Sequence, residues 1–431
     1  MAAPATGAPQ DDKTPAQPLA PIRGYVTTRL RTRSTSGADD QDFDTVLSLD
    51  FGNERTDKVS AHMMARIAAD LEGTSPSNPF FSLSDTFNDN LAYYLYYAWV
   101  DLRPAKETPG HVERWRLGRQ IDYLTPEVAW FDGVSAQTRA SGKQRVQLGA
   151  YAGVPTHIYD TSTSGDSMLG AWVQVQPWKD GRVRADWMYL EDETRLPQGQ
   201  NDLVSLSMWQ SLSPRLQFEG RYTHLESESR DVRVQANWFD PRYDLTLFVS
   251  YFELLREQQG FALDVDPLLT STFAQFPYRE ARVLASKALS DSLLLQGGTD
   301  VRRVSDDSDI GDFNHDFERT YLTATHADLL PMKLSLSLTG EVWNSPDDNI
   351  QTWGADVSRR FGQALDTTLG SYFALYKYDY FTGSERDDVR TYFMALRWRR
   401  SQASTFDLRY EFEDNEYGDF QTLRLGATWQ L

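Results

Sequence analysis

A period of two runs through almost the whole chain. In many segments of about ten residues, apolar and polar side chains alternate, and turn-forming residues separate the segments. Between Met332 and Trp343, Met332, Leu334, Leu336, Leu338 and Val342 fall on one side, and Lys333, Ser335, Ser337, Thr339 and Glu341 on the other. Successive side chains of an extended chain point to opposite faces, so this segment reads as a strand with one apolar and one polar face. The same ladder recurs in Leu216/Phe218/Gly220/Tyr222, Val232/Val234/Ala236/Trp238 and Phe406/Leu408/Tyr410/Phe412. Helical periodicity is nearly absent. The longest apolar run, Leu91 to Val100, is too short to cross a bilayer as a helix.

Counting these ladders predicts an all-β chain of about 22 strands, within a range of about 18–22. The connections alternate between longer, often acidic segments (72–90, 154–166, 192–200, 256–278 and 304–315) and short ones (177–180, 211–214, 240–243, 289–291, 328–330 and 361–364). Long loops on one rim and tight turns on the other predict a single transmembrane antiparallel up-and-down β-barrel over residues 22–431. A soluble propeller or sandwich fits less well, because no blade repeat of about 40 to 50 residues is present. Some 22 strands also enclose a lumen too wide for side chains to fill, so the apolar face must meet lipid. Aromatic residues reach 13% although hydrophobic residues are only 40%, a pairing that a disordered chain would not show. Residues 1–21, rich in Ala, Pro and Gln and lacking an apolar signal-like core, read as a mobile tail.

The last strand carries Leu423, Leu425, Ala427, Trp429 and Leu431 on one face and Thr422, Arg424, Gly426, Thr428 and Gln430 on the other. It resembles the closing strand of bacterial outer-membrane barrels, which usually ends in Phe or Trp where this chain has Leu431. Leu117-Gly118-Arg119-Gln120 and Phe131-Asp132-Gly133-Val134 resemble the Gly-Arg-Gln and Phe-Asp-Gly strands of general porins. The resemblance implies a porin-like architecture in the outer membrane of a Gram-negative bacterium, in contact with lipid and lipopolysaccharide.

With the apolar faces outward, the polar faces define a lumen. Arg23, Arg29, Arg31 and Arg33 share a face with Tyr25 and Thr27, and Arg182, Arg184, Arg215, Arg221, Arg397, Arg399, Arg409 and Arg424 extend the basic lining. The predicted inward set holds more bases than acids, although the whole chain has 62 acids against 43 bases and a net charge of −19. Guanidinium groups stay charged and offer five donors to carboxylate, phosphate or sulfate, so the expected role is a channel for hydrophilic anionic solutes or an anionic polymer. A second reading pairs these arginines with Glu219, Asp231, Glu341 and Asp407 on neighbouring strands, where they stiffen the wall. The expected constriction is the longest connection, 256–278, folded inward with Phe261, Leu263, Asp264, Asp266, Phe273 and Phe276. The alternative is an export or sheath barrel working with a periplasmic or lumenal protein partner, in polysaccharide secretion or an electron conduit.

Other chemistry finds little support. The chain has no cysteine, which removes disulfides, thiolate metal sites and iron–sulfur clusters. The acidic excess argues against nucleic acid as a partner. The six histidines are scattered without ligand spacing. His224 with Ser227 and Asp231, or His315 with Asp316, imitates a hydrolase grouping only in local sequence. The run from Asp307 to Asp312 places its glycine wrongly for an EF-hand. The expectation is a barrel without cofactor, metal or catalytic site, with barrel enzymes and adhesins as remote alternatives.

Overall fold

The computed structural model describes residues 22–72, 80, 91–104, 111–126, 128–156, 166–191, 200–226, 228–256, 277–305, 316–329, 333–345, 349–379, 384–415 and 418–431. They form 22 strands. The first eight are β1 (Ile22–Thr35), β2 (Ala38–Phe51), β3 (Val59–Asp70), β4 (Leu91–Leu102), β5 (Val112–Asp122), β6 (Ala129–Thr138), β7 (Gln147–Pro155) and β8 (Ser167–Val175). Next come β9 (Gly181–Glu191), β10 (Gln200–Ser213), β11 (Leu216–Leu225), β12 (Glu228–Asp240), β13 (Leu245–Leu254), β14 (Tyr278–Ala288) and β15 (Leu293–Val304). The last are β16 (Phe317–Leu329), β17 (Leu334–Asn344), β18 (Asn349–Phe361), β19 (Leu365–Asp379), β20 (Ser384–Arg399), β21 (Ser404–Asn415) and β22 (Gly418–Gln430).

Each strand pairs antiparallel with its neighbours in the chain, and β1 pairs with β22 from Tyr25↔Gln430 to Ser34↔Gln421. The sheet therefore closes on itself, as a backbone surrounded by hydrocarbon requires, although β4 pairs with β5 only over Ala98–Leu102 and β18 with β19 only over Ala355–Phe361. At the seam the Thr27 and Thr428 hydroxyls share a hydrogen bond of 3.0 Å. The start of β1 and the end of β22 lie on one rim. The four strand pairs separated by the longest stretches of sequence, β3–β4, β7–β8, β13–β14 and β15–β16, are all joined on the opposite rim. That loop rim also has short joins the alternation rule did not anticipate: β1 turns into β2 at 36–37, and only two residues separate β11 from β12 and β21 from β22. Gly37 makes the first of these possible with a φ of 110°, a region closed to other residues.

The two faces of the sheet differ as the period-two pattern predicts. Leu206, Leu322, Leu338, Trp353 and Leu369 stand on the outer face and are each more than half exposed in the isolated chain. Immersing one such side chain in lipid stabilises the barrel by about 1.5–3 kcal/mol. Aromatic residues crowd the ends of this face. Near the turn rim Trp398 stacks on Phe406 at 5.4 Å and Trp429 meets Phe406 edge-on at 6.3 Å, and Tyr392 and Phe412 pair toward the loop rim at 6.3 Å. Aromatic girdles at both ends of an apolar band are the mark of a membrane barrel. Buried polar residues occupy the other face, among them Arg33, Arg116, Arg184, Asp186, Asp231 and Glu411.

Candidate conduction pathway

Side chains directly opposite in an antiparallel sheet share a face, so the register assigns the lumen wall residue by residue. β1 and β2 set Arg23, Arg29, Arg31 and Arg33 against Asp50, Asp44, Asp42 and Asp40. Arg33 donates from Nε to Asp40 at 2.5 Å, with both side chains almost fully buried, and Arg31 Nε donates to Asp42 at 2.9 Å. Asp44 turns instead toward Arg66 on β3, 3.7 Å away. Among the described residues, Arg29 makes neither a hydrogen bond nor an ion pair.

Arg29 adjoins the most basic part of the wall. Across β21, β22 and β1, Arg409, Arg424 and Arg31 are direct neighbours in one row. The next row runs Asp366, Arg397, Asp407, Gly426, Arg29 from β19 to β1. Like charges facing each other are destabilising, and carboxylates on the same wall offset this. Glu411, itself buried, accepts from Arg409 Nε at 2.7 Å and lies 3.6 Å from Arg424. Asp407 accepts from Arg397 at 2.8 Å, and Asp366 takes Arg360 at 2.7 Å and Arg399 at 2.5 Å. Arg29, Arg397, Arg409 and Arg424 nevertheless face a water-accessible cavity of about 480 Å³, beside only two aspartates, Asp366 and Asp407. Gly426 keeps the middle of this patch open, since a Cβ there would meet nothing nearer than 3.7 Å.

The remaining predicted arginines are spread over the far wall. Arg182 lies 3.8 Å over the Trp209 ring, Arg184 binds Asp186 at 2.6 Å, and Arg215 reaches Asp240 at 3.4 Å. Arg221 donates to the Thr125 carbonyl oxygen. The prediction missed Arg66, Arg114, Arg116, Arg233, Arg282, Arg302, Arg319 and Arg360, which the register places on the same face. It also missed partners. Asp101 accepts from Arg116 at 2.8 Å and Asp300 from Arg282 at 2.6 Å, whereas Glu341, which the sequence reading named as a pairing acid, accepts from Arg319 at 3.1 Å. Parity within each strand carried that signal. Carboxylates and guanidiniums are nearly balanced around the wall, so the basic excess is a local property of the β19–β22 and β1 sector.

The predicted constriction residues Phe261, Leu263, Asp264, Asp266, Phe273 and Phe276 lie outside the described residues, as does the tail 1–21. Two other connections reach the inner wall. Thr125, between β5 and β6, is 1% exposed where Arg221 of β11 holds its carbonyl. Phe80, between β3 and β4, sits 5.0 Å under the Arg33 guanidinium and edge-on to Phe420 at 5.8 Å. On the loop rim, Glu72 accepts the Gln41 amide at 2.5 Å. Its carboxyl is pushed up to about 7, first by loss of water and then by Asp40 and Asp70.

Hydrolase and metal groupings do not assemble from the sequence motifs. His224 packs edge-on against Tyr222 at 4.6 Å, whereas Asp231 faces Thr223 on the other side of the sheet; Ser227 and His315 lie outside the described residues. Glu54, His62 and Asp101 bring possible ligand atoms within 4.8 Å of one another. Arg116 already binds both carboxylates and Arg114 binds Glu54, at distances of 2.8–2.9 Å, so cations of the protein itself occupy this cluster.

The sequence matches no protein-family model and no curated protein. Among solved structures, the siderophore receptor PirA from Pseudomonas aeruginosa aligns over 96% of this chain and 81% of its own, at 12% identity and a TM-score of 0.52. The fold is an outer-membrane β-barrel. OccK3 (OpdO) from the same organism aligns over 95% of both chains at 12% identity and a TM-score of 0.43. OpdK crystallised with vanillate aligns over 95% of this chain and 98% of its own, at 10% identity and a TM-score of 0.45.

Proposed function

We propose that this barrel is an outer-membrane channel for small hydrophilic solutes, with a preference for anions set by the arginine patch on the β19–β22 and β1 wall. The observation that carries this reading is the cavity where Arg29, Arg397, Arg409 and Arg424 face water beside two carboxylates. Arg397 and Arg424 are more than half exposed, so their donors can reach a passing carboxylate or phosphate. A water-filled lumen needs polar walls in any case, but a neutral wall would not concentrate one sign of charge. The rest of the wall meets that general need with balanced ion pairs and hydroxyls, as in the Thr323–Thr339 contact at 2.7 Å and the Thr325–Ser337 contact at 3.1 Å.

The test is the reversal potential of the purified chain in a planar bilayer under a salt gradient. A steady current with a potential on the anion side supports the proposal. A cation-side potential from a folded, heat-modifiable barrel refutes it. No current would move the function to a barrel that opens only with a periplasmic partner.

A further inference from the structure

The wall from β5 to β9 encloses a second cavity, of about 560 Å³, whose chemistry differs from that of the arginine patch. Ligand sites of this kind commonly span about 300–1,000 Å³. Most of its charges are paired. Arg184 is bound by Asp186, Arg116 by Asp101, and Arg114 by Glu54. The one remaining guanidinium in the lining, Arg182, lies over the Trp209 ring, and Asp122 is the one carboxylate of the lining itself. Four amides, Gln120, Gln137, Gln147 and Gln174, alternate in the lining with the rings of Phe131, Tyr151 and Trp172.

The rings are seated by missing side chains. A Cβ on Gly149 would fall 2.2 Å from the Trp172 ring, and one on Gly170 would fall 2.0 Å from the Tyr151 ring. Both rings therefore lie flat against their neighbouring strands and leave the cavity open. Two polar atoms of the lining residues are buried and have no hydrogen-bond partner among the described residues. The Tyr151 hydroxyl is buried without a hydrogen bond, on a residue only 6% exposed, and Arg182 Nε is likewise unpartnered. The half-buried Gln174 side chain makes no hydrogen bond among the described residues. Buried polar groups in folded proteins find partners, so Tyr151 and Arg182 call for a ligand with its own donors and acceptors, and the Gln174 amide is left to meet it.

We infer that this recess is a binding site for a neutral saccharide. Amide and hydroxyl groups each donate and accept, as the hydroxyls around a pyranose ring require. Aromatic surface beside them suits the apolar C–H face of such a ring. Three of its four guanidiniums are already held by carboxylates, so this recess attracts a free anion less than the arginine patch does.

Glucose and maltotriose, added in turn to each side of a bilayer holding the full chain, should interrupt the current in a concentration-dependent way. Tyr151→Phe and Gln174→Ala should each weaken that block by about threefold to tenfold, the effect of one lost hydrogen bond. Neither change should alter the conductance in salt alone. Tryptophan fluorescence in detergent gives a second readout that needs no current: sugar should shift the emission, and Trp172→Phe should remove the shift. Absence of both block and spectral shift with folded barrel at about 100 mM sugar, well above the affinity range of a built site, overturns the inference. So does a block that is the same in the wild type and both polar variants, since water alone would then account for the cavity.

Discussion

Neutralising two guanidiniums of the seam patch, Arg29→Gln with Arg424→Gln, should shift ion preference without disturbing the barrel. Arg29 has no carboxylate partner among the described residues, and Arg424 shares Glu411 with Arg409, which remains. The magnitude follows from Coulomb's law. A monovalent ion passing about 6 Å from one guanidinium in water gains or loses about 0.7 kcal/mol, which screening at 0.1 M salt cuts to about 0.4. Two charges act on the anion and, with opposite sign, on the cation. The permeability ratio should therefore move toward cations by roughly tenfold at 0.1 M, and by less than about twofold at 1 M, where the Debye length is about 3 Å. Reversal potentials at the two salt concentrations measure this directly. An unchanged ratio at 0.1 M, from protein that migrates as folded barrel, would refute the claim that this patch sets selectivity. A shift that persists undiminished at 1 M would refute the electrostatic mechanism.

Other positions test the fold and the loop rim. Leu338→Arg, at the centre of β17 on the outer face and 52% exposed in the isolated chain, should cost about 2–4 kcal/mol in lipid-reconstituted unfolding, whereas a water-facing position would tolerate it. Gly149→Ala must displace the Trp172 ring and should destabilise by about 1–3 kcal/mol, read as an earlier unfolding midpoint in urea. Glu72 gives a pH signature. Its carboxyl titrates near 7 in the folded chain and near 4.5 when free, so folding gains stability as pH falls through 7 and keeps it below 4.5. Unfolding midpoints measured from pH 8 to 5 should rise in the wild type and flatten in Glu72→Gln; equal slopes would exclude Glu72 as the cause.

Strand parity made the faces legible from sequence, because a two-residue period leaves only one way to bury Leu336 and Leu338 together. The twelve predicted arginines fall on the polar face for that reason. Which acid meets which arginine was not legible, since register is set between strands. Nothing local to Asp44 says that it turns to Arg66 and leaves Arg29 free, and nothing near Arg31 reveals Arg424 beside it. Irregularities hide more. The register shift between Met64 and Ala65 sets both Tyr94 and Tyr97 opposite inward positions of β3, which strict alternation forbids. The hold of Arg221 on Thr125 spans 96 residues of sequence and crosses the lumen wall, beyond any pattern within a strand.

The arginine patch and the amide recess lie eight strands apart around the ring of 22, one centred on β21 and β22, the other on β7 and β8. A solute carrying both a carboxylate and a ring of hydroxyls can engage either wall, and the field across the lumen would turn its charged end toward the patch. Glucuronate and glucose separate the two contributions, since they differ in one carboxylate. If both walls act, glucuronate should block longer than glucose in the wild type. Arg29→Gln with Arg424→Gln should remove that advantage while leaving the glucose block intact, and Tyr151→Phe should weaken both sugars alike. A glucuronate block that survives the arginine changes but not Tyr151→Phe would place recognition in the recess alone and reduce the patch to an electrostatic funnel.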